Sequence, residues 1–207
     1  CGFYGGKYYI AAARIDSRVR QSPRFYNTQA IRRKAVDTLK RYPRNRLYKH
    51  LANCALNYNC LAAKNLFMRR WEAPLPTARF CNARCIGCLS QQESDCLASH
   101  ERIAFRPRVD EIAEIMINHL RTAREAIVSF GQGCEGEPLT EADTIAKAVM
   151  LVRSRTKRGT INMNTNAGMP EKVKLLCQAG VDSFRVSLNS PEKKYYDLYF
   201  RPRGYSY

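Results

Sequence analysis

The residues best suited to chemistry crowd into one stretch, Cys81-Asn82-Ala83-Arg84-Cys85-Ile86-Gly87-Cys88, a C-x3-C-x2-C array. Three thiolates on one compact loop can hold three irons of a cubane cluster and leave the fourth iron without a protein ligand. That open iron can take a small chelating substrate, which a four-cysteine cluster does less readily. The alternative for the same thiols is a zinc site completed by Cys96, Cys60 or Cys54. Zinc sites more often pair their cysteines as C-x2-C twice, and no second such pair occurs here.

Nine cysteines stand at positions 1, 54, 60, 81, 85, 88, 96, 134 and 177. An odd number with three inside eight residues makes a poor secreted disulfide framework. It points instead to metal ligation in a reducing compartment, the cytoplasm. Cys54 and Cys60 flank a five-residue spacer that fits no common metal loop, so they read as core or surface thiols, with an auxiliary cluster as the alternative. Cys177 falls on the apolar side of a helical pattern and is expected in the core. His50, His100 and His119 are isolated in sequence and receive no task.

A second motif lies downstream, Phe130-Gly131-Gln132-Gly133-Cys134-Glu135-Gly136-Glu137-Pro138. Its glycines let backbone approach a ligand closely, and carbonyls exposed there can accept from an ammonium group. Cys134, beside this turn, is either functional or simply a small residue that fits.

The elements that must position these motifs follow from periodicity. Ile31, Ala35 and Leu39 mark a basic helix ended by Pro43. Leu47, Leu51, Cys54 and Ala55 recur at helical spacing, and Leu61–Met68 continues the pattern. Beyond Trp71–Pro76 the texture changes to strand, loop and helix in repetition. A weak strand precedes Cys81, and a helix follows Pro107 with Val109, Ile112, Met116 and Leu120 on one face. Ala126–Phe130 reads as a buried strand, and Thr140 with Asp143 as a capping pair for the helix that follows. Residues 160–166 form a strand, Pro170 opens a helix ending at Gly180, Ser183–Leu188 form a strand, and Ser190-Pro191-Glu192 start one more helix. Such alternation predicts an α/β fold with a parallel sheet or barrel, its ligand site at the carboxyl ends of the strands.

Taken in order, these pieces resemble the radical S-adenosylmethionine superfamily over roughly residues 71–200. The cysteine loop matches that superfamily's cluster motif, and Glu135-Gly136-Glu137-Pro138 is similar to its GGEP segment on the second strand. Asn164-Thr165-Asn166 resembles the end of its third strand, and Arg185-Val186-Ser187-Leu188-Asn189 the end of its fourth. The resemblance implies a partial (β/α) TIM-like barrel, truncated after about four strand–helix units. It implies a 4Fe–4S cluster on Cys81, Cys85 and Cys88, with S-adenosylmethionine chelating the fourth iron. One-electron reduction by a flavodoxin- or ferredoxin-like donor then yields a 5′-deoxyadenosyl radical that removes hydrogen from a substrate. The Glu135, Gly136, Glu137, Pro138 turn would hold the amino group, chiefly through backbone, Ser187 with Arg185 as helper would face the carboxylate, and Asn164 or Asn166 would reach ribose. Strand-end hydrogen bonding is the plain alternative for Ser187 and the asparagines. Two positions depart from the pattern. Gly87 stands where an aromatic residue usually contacts adenine, and Glu135 replaces the first glycine of GGEP.

Charge divides the chain. Residues 1–80 hold 17 Lys or Arg against 3 acids, and the remainder is nearly balanced, within a total of +17. Residues 1–70 therefore read as a basic, mostly helical extension, and residues 71–207 as the core domain, incomplete at its carboxyl end. The extension suits nucleic acid or an acidic partner. Tyr4, Tyr8 and Tyr9 beside Arg14, Arg18 and Arg20 would add stacking. The rival to an enzyme is accordingly a non-catalytic Fe–S or zinc module that binds nucleic acid through this segment. No apolar run is long enough to span a membrane. A start at Cys1 and a stop at Tyr207, just after a helical stretch, suggest a piece of a longer protein.

Overall fold

The computed structural model describes residues 2–13, 15, 25–92 and 97–207. Cys1, Cys96, Arg14, Arg18 and Arg20 lie outside the described residues. Gly5 and Gly6, at φ 55° and 75°, supply the left-handed turn that joins strand β1 (Gly2–Tyr4) to its antiparallel partner β2 (Lys7–Tyr9). All six strand residues are exposed, so no buried alternation betrays this hairpin in the sequence.

Three helices follow. Helix α1 (Thr28–Arg41) is capped by Asn27, whose side chain accepts from the Ala30 N–H at 2.9 Å, and ends on Lys40 and Arg41 where cations meet the helix carboxyl end favourably. The cap of α2 (Arg46–Leu56) is Asn45, which accepts from the Tyr48 N–H at 3.0 Å. Helix α3 (Leu61–Met68) ends at Arg69 in left-handed conformation. Ile31, Ala35, Leu47, Leu51, Ala63 and Phe67 from these helices are buried in the same continuous apolar core as the sheet.

The sheet contains β3 (Arg70–Pro74), β4 (Arg124–Phe130), β5 (Thr160–Thr165) and β6 (Ser183–Val186), hydrogen-bonded in that order and parallel throughout. Between and after them run α4 (Val109–Thr122), α5 (Ala142–Arg155), α6 (Pro170–Ala179) and α7 (Lys193–Phe200). This makes four strand–helix units of an α/β fold. The sheet is open: among the described residues it does not close into a barrel. The β3–β4 register slips between Arg70 and Glu72, where Trp71 and Glu125 both adopt positive φ.

Several boundaries differ from the sequence expectation. Thr140 caps no helix: its hydroxyl donates to the Glu137 carbonyl at 2.8 Å, within a 3-10 turn over Pro138–Glu141 that Glu137 itself caps. The last strand stops at Val186 rather than Leu188. Cys177 is exposed, because α6 turns only Leu176 and Ala179 fully inward. Gly180 closes α6 at φ 106°, a conformation its missing side chain permits. No helix among the described residues is long and apolar enough to cross a membrane.

The two faces of the sheet differ in chemistry. Val128, Phe130, Ile161 and Met163 are fully buried in the core that holds Ile112, Met116, Leu120, Ile145 and Val149 from the helices. The opposite face carries a chain of polar contacts. Ser129 Oγ donates to Glu72 Oε1 (2.5 Å), Gln132 Nε2 donates to the same oxygen (2.9 Å), and Asn162 Nδ2 donates to Ser129 Oγ (3.2 Å) and Asn164 Oδ1 (3.3 Å).

One carboxylate fastens the amino-terminal helices to the core. Glu111, buried in the first turn of α4, accepts from the Arg46 N–H and Nε (both 2.9 Å), from Arg46 Nη2 (2.7 Å) and from the Arg108 N–H (2.8 Å). Asn45 reinforces the junction by donating to the Glu111 carbonyl (3.0 Å) and to Glu114 (2.8 Å). Burial pushes the Glu111 carboxyl up, but the Arg46 side chain and the two backbone N–H groups outweigh it and hold it at about 2, below an ordinary 4.5. A depressed folded pKa makes this contribution fully present above pH of about 4.5 and lost as pH falls toward about 2. Glu111→Gln should lower stability by about 2 kcal/mol at neutral pH and flatten the acid limb of the stability profile, read by urea denaturation from pH 7 downward.

Candidate functional site

The cysteine loop follows β3, with six residues between Pro74 and Cys81, and is fixed from two sides. Helix α7 meets it through its last carbonyls, with the Arg84 N–H donating to Phe200 O (2.9 Å) and the Ile86 N–H to Tyr199 O (3.0 Å). The Arg203 N–H returns to Asn82 O (2.7 Å). On the other side the Gly136 and Glu137 N–H groups donate to Ala78 O (2.7 Å) and Phe80 O (2.9 Å). Glycine is required at 136 because a Cβ there would lie 1.9 Å from Phe80 O, and at 131 (φ 75°) because one would lie 1.8 Å from Asn164 O. These glycines bring protein backbones together, and Gly131, Gly133 and Gly136 also line the smaller cavity beside the thiols. Gly87 is likewise crowded, since a Cβ would stand 2.7 Å from the Tyr199 hydroxyl; an aromatic residue at 87 has no room while Tyr199 stays in place.

Two cavities adjoin at the thiols. The larger, about 280 Å³, is lined by Cys81, Cys85, Cys88, Gln92, Arg102 and Arg201 among others. The smaller, about 150 Å³, gathers Cys81 and Cys85 with the turn from Gly131 to Pro138, Asn164, Asn166 and Ser187. The structure thus brings Glu135, Gly136, Glu137, Pro138, Asn164, Asn166 and Ser187 together beside two of the three cysteines. It leaves Cys88 on the other cavity, and Arg185 is exposed on the edge strand outside both linings.

The side chains of the two turn glutamates work as braces. Glu135 Oε2 accepts from the Thr77 N–H (2.7 Å), Thr77 Oγ1 (3.1 Å) and the Ala78 N–H (3.0 Å), and its Oε1 from the Gly131 N–H (2.5 Å). Burial pushes this carboxyl up to about 7, against the pull of the backbone N–H groups of Thr77, Ala78 and Gly131 and of the Thr77 hydroxyl. Glu137 accepts from Thr165 Oγ1 (2.5 Å), the Leu139 N–H (3.1 Å) and the Asn166 N–H (2.9 Å). The departure at 135 neither crowds the turn nor adds an exposed charge, because the side chain runs into the interior. Asn166 donates to Asn82 Oδ1 in the cysteine loop (2.6 Å), and Asn164 donates to the Phe130 and Gly131 carbonyls (3.3 Å each). Ser187, whose N–H donates to Thr165 O (2.9 Å), is exposed.

The thiols suit a cationic group. Burial first, then the neighbouring Cys81 and Cys88, pushes Cys85 up to about 11, so three thiolates in this place need positive charge among them. Cys88 goes the other way. Burial raises it, but the Ser90 N–H and hydroxyl and the Arg102 guanidinium (Nη2 to Sγ 3.5 Å) bring it below the ordinary thiol value. Among the described residues the three sulfurs do not form a set within 4.8 Å of one another, whereas His50, Cys54 and Cys134 do. A cubane places one thiolate on each of three irons and spreads its ligands farther than a single ion does.

No single stretch of the sequence shows that second group, because Cys134 lies far along the chain from His50 and Cys54. The available signal was the i,i+4 spacing of His50 and Cys54 on one helix face. Cys54 and Cys134 are free thiols whose mutual interaction draws Cys54 down and pushes Cys134 up. The polar inner-face residues Glu72, Ser129 and Asn162 were also missed; alternation in Ile161-Asn162-Met163-Asn164 was their trace.

An open parallel α/β sheet with a three-cysteine loop at the carboxyl end of its first strand defines a recognisable class. The family model described as the radical SAM superfamily matches residues 75–207, and the chain belongs to that superfamily. No curated protein matches the chain.

Replacing Glu135 tests the brace. Glu135→Ala leaves three backbone N–H groups without their acceptor, at about 1–3 kcal/mol for each that stays buried. A loss of at least about 3 kcal/mol in chemical denaturation is expected, with Glu135→Gln losing less because one oxygen remains.

Proposed function

We propose that this chain is a catalytic unit of a radical S-adenosylmethionine enzyme, binding a 4Fe–4S cluster through Cys81, Cys85 and Cys88. The observation that carries the reading is the shared wall: the thiol loop, the Glu135–Pro138 turn, the end of β5 and Ser187 surround one cleft. Bound there, the cluster and S-adenosylmethionine supply one-electron reductive cleavage of a sulfonium and hydrogen abstraction, with a flavodoxin- or ferredoxin-like protein as electron source.

The chain's own residues divide the remaining work. Cys81 and Cys85 stand between the two cavities and Cys88 faces Arg102, whose cation offsets thiolate charge at one corner. Carbonyls of the Glu135–Pro138 turn accept from the amino group of the cofactor, while the two glutamate side chains hold the turn rigid from behind. Ser187 offers an exposed hydroxyl at the end of β6 for the carboxylate, and Asn164 and Asn166 offer amides at the end of β5. Their bonds to Gly131 and Asn82 fix the orientation of those amides.

Anaerobic reconstitution of the full chain should give iron and labile sulfide in equal amount, and replacing Cys81, Cys85 and Cys88 together with alanine should abolish both. Zinc that departs with those three cysteines, with no labile sulfide, would overturn the reading. S-Adenosylmethionine should also perturb the electron paramagnetic resonance spectrum of the reduced cluster. Ser187→Ala should weaken that titration about fivefold, the worth of one hydrogen bond. An unchanged spectrum at saturating cofactor would count against the cleft.

A further inference from the structure

We propose that His50, Cys54 and Cys134 form a second metal site, separate from the cysteine loop, that binds one zinc ion and clamps helix α2 to the turn after β4. Among the described residues this is the one set of at least three His, Cys, Asp or Glu ligand atoms within 4.8 Å of one another. The geometry suits a single ion. With Zn–S of about 2.3 Å and Zn–N of about 2.0–2.1 Å, the S-to-N edge of a tetrahedron is about 3.6 Å. Cys54 Sγ and His50 Nε2 stand 3.6 Å apart.

The local fold explains how the ligands meet. His50 and Cys54 lie one turn apart on α2, the separation at which helix side chains face the same way. Cys134 comes from the β4 turn, and its carbonyl is anchored by the Ile103 N–H at 2.9 Å. The His50 ring is packed edge-on against Phe105, with centroids 6.3 Å apart, which steadies its orientation. Cys54 and Cys134 are buried and His50 is half-buried, so an ion has a route in past the imidazole. Two thiolates and an imidazole form a donor set that favours zinc over the oxygen-seeking cations. The set supplies three protein ligands, which leaves the fourth position to water.

A zinc ion here would act as a clamp. It joins the amino-terminal helices, which lie outside the matched residues 75–207, to the turn that carries Glu135 and Gly136. Both cysteines bind as thiolates and release any protons they carry, no electron is transferred, and no other reactant is needed.

The test uses the full chain in which Cys81, Cys85 and Cys88 are all alanine, so that cluster chemistry cannot interfere. After purification with zinc and a wash with a weak chelator, elemental analysis should find one zinc per chain. Cobalt substitution should give the visible and near-ultraviolet bands of a tetrahedral thiolate site. His50→Gln, Cys54→Ser and Cys134→Ser should each weaken zinc at least tenfold, with His50→Gln, at the half-buried ligand, serving where a thiol variant does not fold. Circular dichroism establishes folding in each case. Zinc-free protein in which all six remaining cysteines titrate as free thiols, or one with a Cys54–Cys134 disulfide, would overturn the proposal. So would iron with labile sulfide in this background, since that means a cluster at the second site. Loss of zinc confined to the alanine triple variant would overturn it as well, and would bear on the cysteine loop instead.

Discussion

Everything about the candidate site depends on two buried carboxylates at the carboxyl ends of the strands. Glu135 gathers N–H groups from the segment after β3 and from Gly131, and Glu137 gathers the hydroxyl and N–H at the end of β5. Three strand ends are thereby tied to one turn. Backbone polar groups at strand ends have no ladder partner and must find one elsewhere. Here acidic side chains supply it, with charge-assisted bonds stronger than neutral ones. The cysteine loop inherits its position from this arrangement, because Ala78 and Phe80 bond to the same turn immediately before Cys81.

The arrangement also explains why acidic side chains tolerate such burial. A carboxylate out of water is unfavourable unless its lone pairs are met, and Glu135 has four donors on its two oxygens. The carboxyl is still pushed up to about 7, because burial disfavours its charge more than these donors favour it. A glycine at 135 would avoid that cost but leave Thr77, Ala78 and Gly131 to be satisfied by solvent. The acidic residue makes the turn self-sufficient, which suits a site whose cleft must hold its shape between the two cavities.

Strands, helices and the cysteine loop were legible in the sequence because their signals are local. Val128 and Phe130, or Ile161 and Met163, repeat at the period of a strand, and Pro170 and Gly180 bracket α6 at its two ends. C-x3-C-x2-C is contiguous, so its chemistry is visible without any fold. What stayed hidden was set by contacts between distant segments. Glu135 reaches Thr77 across 58 residues and Glu137 reaches Thr165 across 28, so the bracing done by these side chains is not visible in the motif itself. His50 and Cys134 lie on opposite sides of the cysteine loop in sequence and meet only in the folded chain. Openness of the sheet was equally unreadable, since strand period tells which residues pair with a core and nothing about closure.

The inner face of the sheet sets the final constraint. A parallel sheet is ordinarily apolar on both sides, yet here Glu72, Ser129, Asn162 and Asn164 line one face as a linked polar row. Such a row stabilises only if nearly every donor finds an acceptor; a partly satisfied network is worse than an apolar face of the same shape. The row is paired along its length and ends at Gly131, on the turn that Glu135 braces. A sheet covered on both faces by apolar side chains would pack tighter but leave no polar surface beneath the thiols. Polarity on this face and apolarity on the other therefore divide two tasks, the outer face holding the helices and the inner face keeping a half-open wall against which a polar molecule can lie.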